Sequence, residues 1–243
     1  MKEWQTRTAM LTGEEGLLKL AGAHVIVAGV GGVGAAAAEM LARAGIGRLT
    51  IIDSDSFSET NINRQLPALH STVGKLKTEV VKERLLDINP DLDIRTVGEY
   101  ITETNIPDII GSQGSVDYVV DAIDTLSPKI ALIQYCLASG IPLVSSMGSG
   151  AKADATRVRL ADISKTCECP LAHMLRKRLH KLGIREGFLA VFSTEKPLEG
   201  ATVLEESRNK KSQVGSISYL PAVFGCVCAQ AVLCHIAGIK VNS

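Results

Sequence analysis

The sequence predicts an α/β protein built on a doubly wound, mostly parallel sheet, and three observations carry that reading. Short apolar runs rich in β-branched residues alternate with helix-length stretches through the first 150 residues. The first run, at 25–28 (VIVA), breaks into a close series of glycines, Gly29, Gly31, Gly32 and Gly34, that opens a helix. The second run, at 49–52 (LTII), stops on Asp53. Strand, glycine turn, helix, strand and acid in that order make a Rossmann-like βαβ unit, which holds a nucleotide phosphate at the helix N-terminus and ribose hydroxyls on the acid.

Each element follows from local pattern. Residues 1–20 read as one helix or two broken at Gly13, with Trp4 and Arg7 standing out. The Ala-rich stretch 35–44 is a helix closed by Gly45 and Gly47. Ser, Thr and Asn crowd 54–63, which is loop chemistry, and Arg64, Lys75 and Lys77 follow. A helix begins after Lys77, carries Val80, Val81, Leu85 and Leu86 on one stripe, and ends near Asn89-Pro90. A third strand falls within 93–101, and 105–110 is a short helix with Pro107 in its first turn. The buried run 116–122 leads into Asp121-Ala122-Ile123-Asp124, Ser127-Pro128 start a helix reaching Ser139, and 141–146 is the next strand, before Gly148-Ser149-Gly150.

The alternation fails over 151–214. There 156–163 and 189–193 read as strands, and Cys169-Pro170 open a helix bearing Arg176, Lys177, Arg178, His180 and Lys181. The polar stretch 196–212, with Arg208, Lys210 and Lys211, is expected to be a mobile loop. The apolar end, 217–239, is interrupted by Tyr219, Pro221, Gln230 and His235, so a buried helix from Pro221 at a subunit interface is expected rather than a membrane span. Residues 1–243 are therefore expected to form one domain, with a nucleotide-binding core over 1–150 and a substrate-facing α+β extension with its terminal apolar helix over 151–243.

Composition narrows the function. With 46% hydrophobic residues the chain can bury a sizeable core, and 26 basic against 26 acidic residues leave a net charge of +0. No general field favours nucleic acid, so any RNA contact must come from local clusters such as 176–181. The six cysteines (136, 167, 169, 226, 228 and 234) lie largely in apolar helix-like stretches, which suits reduced thiols in the cytoplasm, and the polar N-terminus lacks a signal-peptide core. Cys167 and Cys169 are the two expected in a loop-like, exposed setting.

Asp53, Asn61, Asn63, Arg64, Gln65, Lys77 and Asp124 are expected at or beyond strand ends, in the crevice where such sheets bind ligands. The glycine turn fits a dinucleotide or ATP. Hydride transfer uses the acid but has no use for Arg64, Lys77 and a second carboxylate together. Splitting ATP at its α-phosphate uses them all, because cations offset the charge that develops there and Asp124 can hold Mg²⁺.

The segments GVGGVG (29–34), DSD (53–55), NINRQ (61–65), GKLK (74–77) and DAID (121–124) together resemble the ubiquitin-activating-type adenylyltransferases, the ThiF/MoeB-like group that includes enzymes adenylating sulfur-carrier proteins. The resemblance implies ATP and Mg²⁺ as cofactors and a homodimer. It implies nucleotide contacts from Gly29, Gly31, Gly32, Gly34, Asp53, Asp55, Asn61, Asn63, Arg64, Gln65, Lys77, Asp124 and Thr125, with Asp124 on the metal. It also implies catalytic functions for Arg64, Lys77, Asp124 and Arg7, the last reaching the phosphates of the neighbouring subunit. Further segments, DISKT (162–166), PLA (170–172), VFSTE (191–195) and PAVFG (221–225), resemble the branch of that family that dehydrates threonylcarbamoyladenosine in tRNA. That implies ATP-dependent cyclisation through adenylation of the threonine carboxylate, with modified tRNA as partner. The alternative is adenylation of the C-terminus of a small ubiquitin-like sulfur-carrier protein. The two C-x-C spacings, 167–169 and 226–228, depart from the paired C-x-x-C of zinc-binding relatives, and Thr125 stands where sulfur-carrier relatives have Asn.

Overall fold

The structure, a computed structural model, describes residues 2–204 and 212–240. The first βαβ unit forms as its pattern requires. β1 (His24–Ala28), α2 (Gly32–Ala44) and β2 (Arg48–Ile52) follow a first helix, α1 (Thr6–Gly22). β1 pairs in parallel with β2 on one side and with β4 (Tyr118–Asp121) on the other. β1 alternates between two cores, Val25 and Val27 on one face of the sheet and Ile26 and Ala28 on the other. A strand buried on both faces reads as an unbroken apolar run, which is why the pattern here has no polar alternation.

α3 (Lys77–Ile88) leads to β3 (Asp93–Val97), α4 (Ile106–Gly111) leads to β4, and α5 (Leu126–Ala138) to β5 (Leu143–Ser146). β6 (Val158–Asp162), α6 (Pro170–Lys181) and β7 (Leu189–Ser193) come next, then β8 (Thr202–Leu204), β9 (Ser212–Val214) and α7 (Tyr219–Ala237). The main sheet runs β3-β2-β1-β4-β5-β7-β6, with β6 the antiparallel member. The chain winds outward from β1 to β3, then restarts at β4 and winds the other way. The reversal between β1 and β4 opens a crevice at their C-terminal ends.

The α+β extension adds its strands to the same sheet, with β7 parallel to β5 and β6 antiparallel to β7. Strand periodicity reports burial, not the neighbour that provides it. The first turn of α2 takes in Gly32 and Gly34, three residues before the Ala run that marks the helix in sequence. The expected loop over 196–212 contains the short strand β8 and runs into its antiparallel partner β9, while Arg208, Lys210 and Lys211 lie outside the described residues.

α1 is kinked at Gly13, whose φ of 71° and ψ of 168° are non-helical. α7 is long and apolar enough to cross a membrane by length and composition, yet it lies in the fold with Leu220, Phe224, Cys228 and Val232 buried. Its Gly225 allows contact with α2, since a Cβ there would stand 2.3 Å from the Val33 carbonyl oxygen.

Candidate active site

The glycine turn follows β1 at the crevice, and its glycines differ in what they allow. Gly29 has φ +85, and a Cβ there would lie 2.9 Å from the Ala122 carbonyl oxygen of the turn after β4. A Cβ on Gly34 would fall 1.7 Å from the Gly29 carbonyl oxygen, so this glycine lets α2 pack onto the strand end. Gly32 lies under Pro221 and the Arg64 carbonyl, 2.9 and 3.0 Å from the same construction. Gly31 is the one beside which a polar side chain stands, the Gln65 amide nitrogen, 3.6 Å from a Cβ built there.

Asp53 follows β2 and is tied to that turn. Its Oδ2 accepts the Val30 N–H at 2.9 Å and its Oδ1 accepts the Asp55 N–H at 2.9 Å. Burial pushes the Asp53 carboxyl above the usual carboxylate range, against the opposing effects of the Lys77 charge and these two N–H donors. Lys77, at the start of α3, is buried to 6% exposure. Its Nζ donates to Asp55 Oδ2 at 2.8 Å and lies 4.0 Å from Asp53 Oδ1. Asp53, Asp55 and Lys77 therefore form one connected unit, with a cation at the crevice that an incoming phosphate would share with Asp55.

Asn61 closes the short 3₁₀ turn Glu59–Asn61, its Oδ1 accepting the Ser58 N–H at 3.1 Å. Asn63 Nδ2 donates to the Ser216 carbonyl at 3.2 Å, linking this loop to the segment after β9. Arg64 is half-buried and donates to the Thr60 carbonyl and to Asn63 Oδ1, both at 2.8 Å, which aims its guanidinium. Gln65 is 7% exposed, and its Oε1 is a buried acceptor without a hydrogen-bond partner among the described residues. An orphaned acceptor of this kind is costly unless a ligand donor meets it. Asn63 and Arg64 also line a groove of about 580 Å³ whose far wall is Gly200, Ala201, Val214, Gly215 and Ser216.

The segment 121–124 divides between two functions. Asp124 is exposed in the turn after β4, and Thr125 is the N-cap residue of α5. Asp121 is fully buried instead, in an ion pair with Lys129 at 2.7 Å. Sequence reading missed this pair, although a lone lysine in an otherwise apolar helix was a signal for it. It also missed Lys152, buried and donating to the backbone carbonyls of Glu168, Ser193 and Glu195.

Arg7 is not brought to this crevice. It is exposed in the first turn of α1. Gln5, two residues earlier, abuts Gly45 beyond the end of α2, and Lys2 pairs with Asp91 ahead of β3. Both contacts lie at the N-terminal edge of the strands, opposite the glycine turn. On α6, Arg176 donates to the Thr166 carbonyl at 2.8 Å and to its hydroxyl, so it is engaged within the fold, whereas Lys177, Arg178 and Lys181 are exposed. All six cysteines are free thiols. Cys169 is buried rather than exposed, because as the N-cap of α6 its Sγ accepts the Ala172 N–H at 3.4 Å, while Cys226, expected in the helix, is exposed along with Cys167. Burial pushes the Cys136 and Cys228 thiols up to about 12, the behaviour of packing residues.

A crevice with a glycine turn, a largely buried acid at the end of β2, two cations and an exposed carboxylate in the turn after β4 is suited to a nucleoside triphosphate. Comparison with known proteins agrees. The model of the ThiF family matches residues 5–243. The tRNA threonylcarbamoyladenosine dehydratase of Bacillus subtilis is 41% identical over 91% of this chain and 90% of its own length. The structure of Escherichia coli tRNA N6-threonylcarbamoyladenosine dehydratase in complex with ATP superposes with a TM-score of 0.87 at 38% identity, covering 96% of this chain and 93% of that one. The same enzyme in complex with AMP gives a TM-score of 0.87 at 40% identity, with the same coverage.

Proposed function

The chain belongs to the ThiF family, and from that premise we propose that it dehydrates threonylcarbamoyladenosine in tRNA, using ATP. The observation that carries this is the match along nearly the whole length to dehydratases of that one activity, one of them holding ATP on the same fold.

The chemistry follows from the substrate. The threonine carboxylate attacks the α-phosphate of ATP and pyrophosphate leaves. A nucleophile within the same side chain then attacks the activated carbonyl carbon, AMP departs, and a ring closes with net loss of water. No enzyme nucleophile is required, because the attacking group is already held beside its target. The protein supplies position and charge. The Gln65 amide, which stands beside Gly31, donates to the nucleotide through Nε2, and Asp53 accepts from the ribose. Asn61 and Thr125 border the same crevice. Lys77 and Arg64 offset the charge developing on the α-phosphate and on the departing pyrophosphate. Mg²⁺, held by Asp124 and by phosphate oxygens, would supply further charge compensation, a donor set that suits an ion bound through one or two carboxylates and water.

Arg7 serves a second copy of the chain. Its place at the opposite edge of the sheet from its own crevice supports this, and so do Met10, Leu11 and Leu18 of α1, exposed at 82%, 76% and 73%. The homodimer so formed carries two sites, each completed by its partner. Residues 1–243 act as one catalytic unit in the cytoplasm, where tRNA and reduced thiols occur together.

The test is incubation with ATP, Mg²⁺ and tRNA bearing threonylcarbamoyladenosine, followed by nucleoside mass analysis. Loss of one water from the modified nucleoside, dependent on ATP and accompanied by AMP, is expected. Pyrophosphate exchange that depends instead on a carrier protein ending in Gly-Gly would overturn the reading.

A further inference from the structure

Behind Asp124 lies a cluster that adenylation itself does not use. Asp121 at the end of β4, Lys129 in α5 and Ser145 in β5 are each 0% exposed. Lys129 Nζ donates to Asp121 Oδ2 at 2.7 Å and to Ser145 Oγ at 3.1 Å, and Ser145 Oγ donates to the same Asp121 oxygen at 2.6 Å. We propose that this cluster is a latch that positions the turn carrying Asp124 against the glycine turn, with Asp121 as a positioning residue. The inference rests on Asp124 facing the nucleotide and its metal.

The geometry carries it. With Oδ2 held from two sides, the carboxylate cannot rotate, and its Oδ1 is presented to the turn, where it accepts the Ile123 N–H at 3.1 Å. Ile123 immediately precedes Asp124. Ala122, between them and the strand, donates its N–H to the Ala28 carbonyl at 2.8 Å. Its own carbonyl oxygen is so close to Gly29 that only glycine fits there. The β4–α5 turn and the glycine turn are thus one packed unit, and the latch fixes its orientation. Stability alone does not account for the cluster, since apolar residues of the same volume do as well as a buried ion pair or better. An ion pair adds direction, because a carboxylate clamped on one oxygen offers the other at a single place.

The test exchanges the pair as a unit, so that no charge is left buried alone. Asp121→Asn with Lys129→Met keeps a side-chain oxygen for the Ile123 N–H, and Asp121→Leu with Lys129→Met removes it. Mg²⁺–ATP binding is measured by calorimetry over a Mg²⁺ titration, and kcat and KM for ATP are taken from AMP release with modified tRNA. The Leu/Met protein, with a matching melting temperature, should need at least tenfold more Mg²⁺, as should Asp124→Asn. The Asn/Met protein keeps the acceptor but loses the Lys129 clamp, so its Mg²⁺ half-saturation should rise by an intermediate amount, about threefold or more. A wild-type Mg²⁺ dependence in either double variant would overturn the latch. Binding needs no tRNA, so failure of wild type to dehydrate tRNA would count against the proposed reaction and leave this comparison intact. If either double variant does not fold, hydrogen exchange in the wild-type protein decides. The Ile123 amide should be protected like those of β4, and exchange at the rate of an open loop would overturn the proposal.

Discussion

Single residues in this protein are held by close approach as much as by chemistry. Gly34 illustrates the first. Its hydrogen faces the Gly29 carbonyl at a distance no methyl group tolerates, so Gly34→Ala should destabilise the fold by about 3 kcal/mol or more, read by urea unfolding. Asp124 illustrates the second. Asp124→Asn keeps the size of the side chain and removes its charge, so it should abolish AMP formation while the unfolding midpoint stays put. Near-normal turnover would take Asp124 out of the site. His24 gives a pH signature. Its ring is buried between the Ser115 carbonyl and the Thr50 hydroxyl, each 2.9 Å away, with Gln113 bonded to Thr50 behind it. Burial lowers its pKa, with Arg48 and Arg95 acting in the same sense and Ser115 and Asp117 against it. The unfolded chain therefore binds this proton before the folded one does. Stability is full above the ordinary value of 6.5 and falls as pH drops below it, towards the depressed folded value. Thermal melts between pH 7.5 and 5.5 should show that fall, and His24→Gln should flatten it.

Among the elements, α6 turns a basic face outward. Ala172, Leu175 and Leu179 are buried, and Lys177, Arg178 and Lys181 are exposed. The helix begins at the site edge of the sheet, where Cys169 packs against Gly148 just beyond β5, and runs about 18 Å away from it. A tRNA whose modified nucleotide enters the crevice would carry its backbone past such a face. Replacing Lys177, Arg178 and Lys181 by Ala should weaken tRNA binding and reduce the slope of log K against log salt by up to about three, with ATP affinity unchanged. A triple variant that binds tRNA as wild type does across several salt concentrations would leave α6 a solvated face. Arg176 is excluded from the set because it is engaged by Thr166.

At the scale of the whole molecule, the separation of Arg7 from the crevice of its own chain is the feature with the sharpest consequence. Arg7→Ala and Arg64→Ala should each be inactive alone. Mixed and allowed to exchange, they should recover about one quarter of wild-type activity, since half the dimers are mixed and each has one complete site. No recovery despite confirmed exchange would show that Arg7 does not act across the dimer.

The sequence by itself determined the βαβ unit, the positions of the main-sheet strands and of the helices to within a few residues, and the family, because burial on both faces of a strand and the demands of a glycine turn leave direct marks on residue type. It also named the residues around the crevice, since Asp53, Lys77 and the loop 61–65 follow in order from strand ends. Only the tertiary structure decided which strands are neighbours, placing β6 and β7 in the main sheet, because an apolar strand records that it is covered and not by what. It alone separated Asp121 from Asp124 within one short motif, turning the first into the core and leaving the second at the surface. It alone buried Cys169 and engaged Arg176. These outcomes depend on partners such as Lys129, Ser145 and Thr166, distant in sequence from the residues they hold or on another element, and no local pattern carries them.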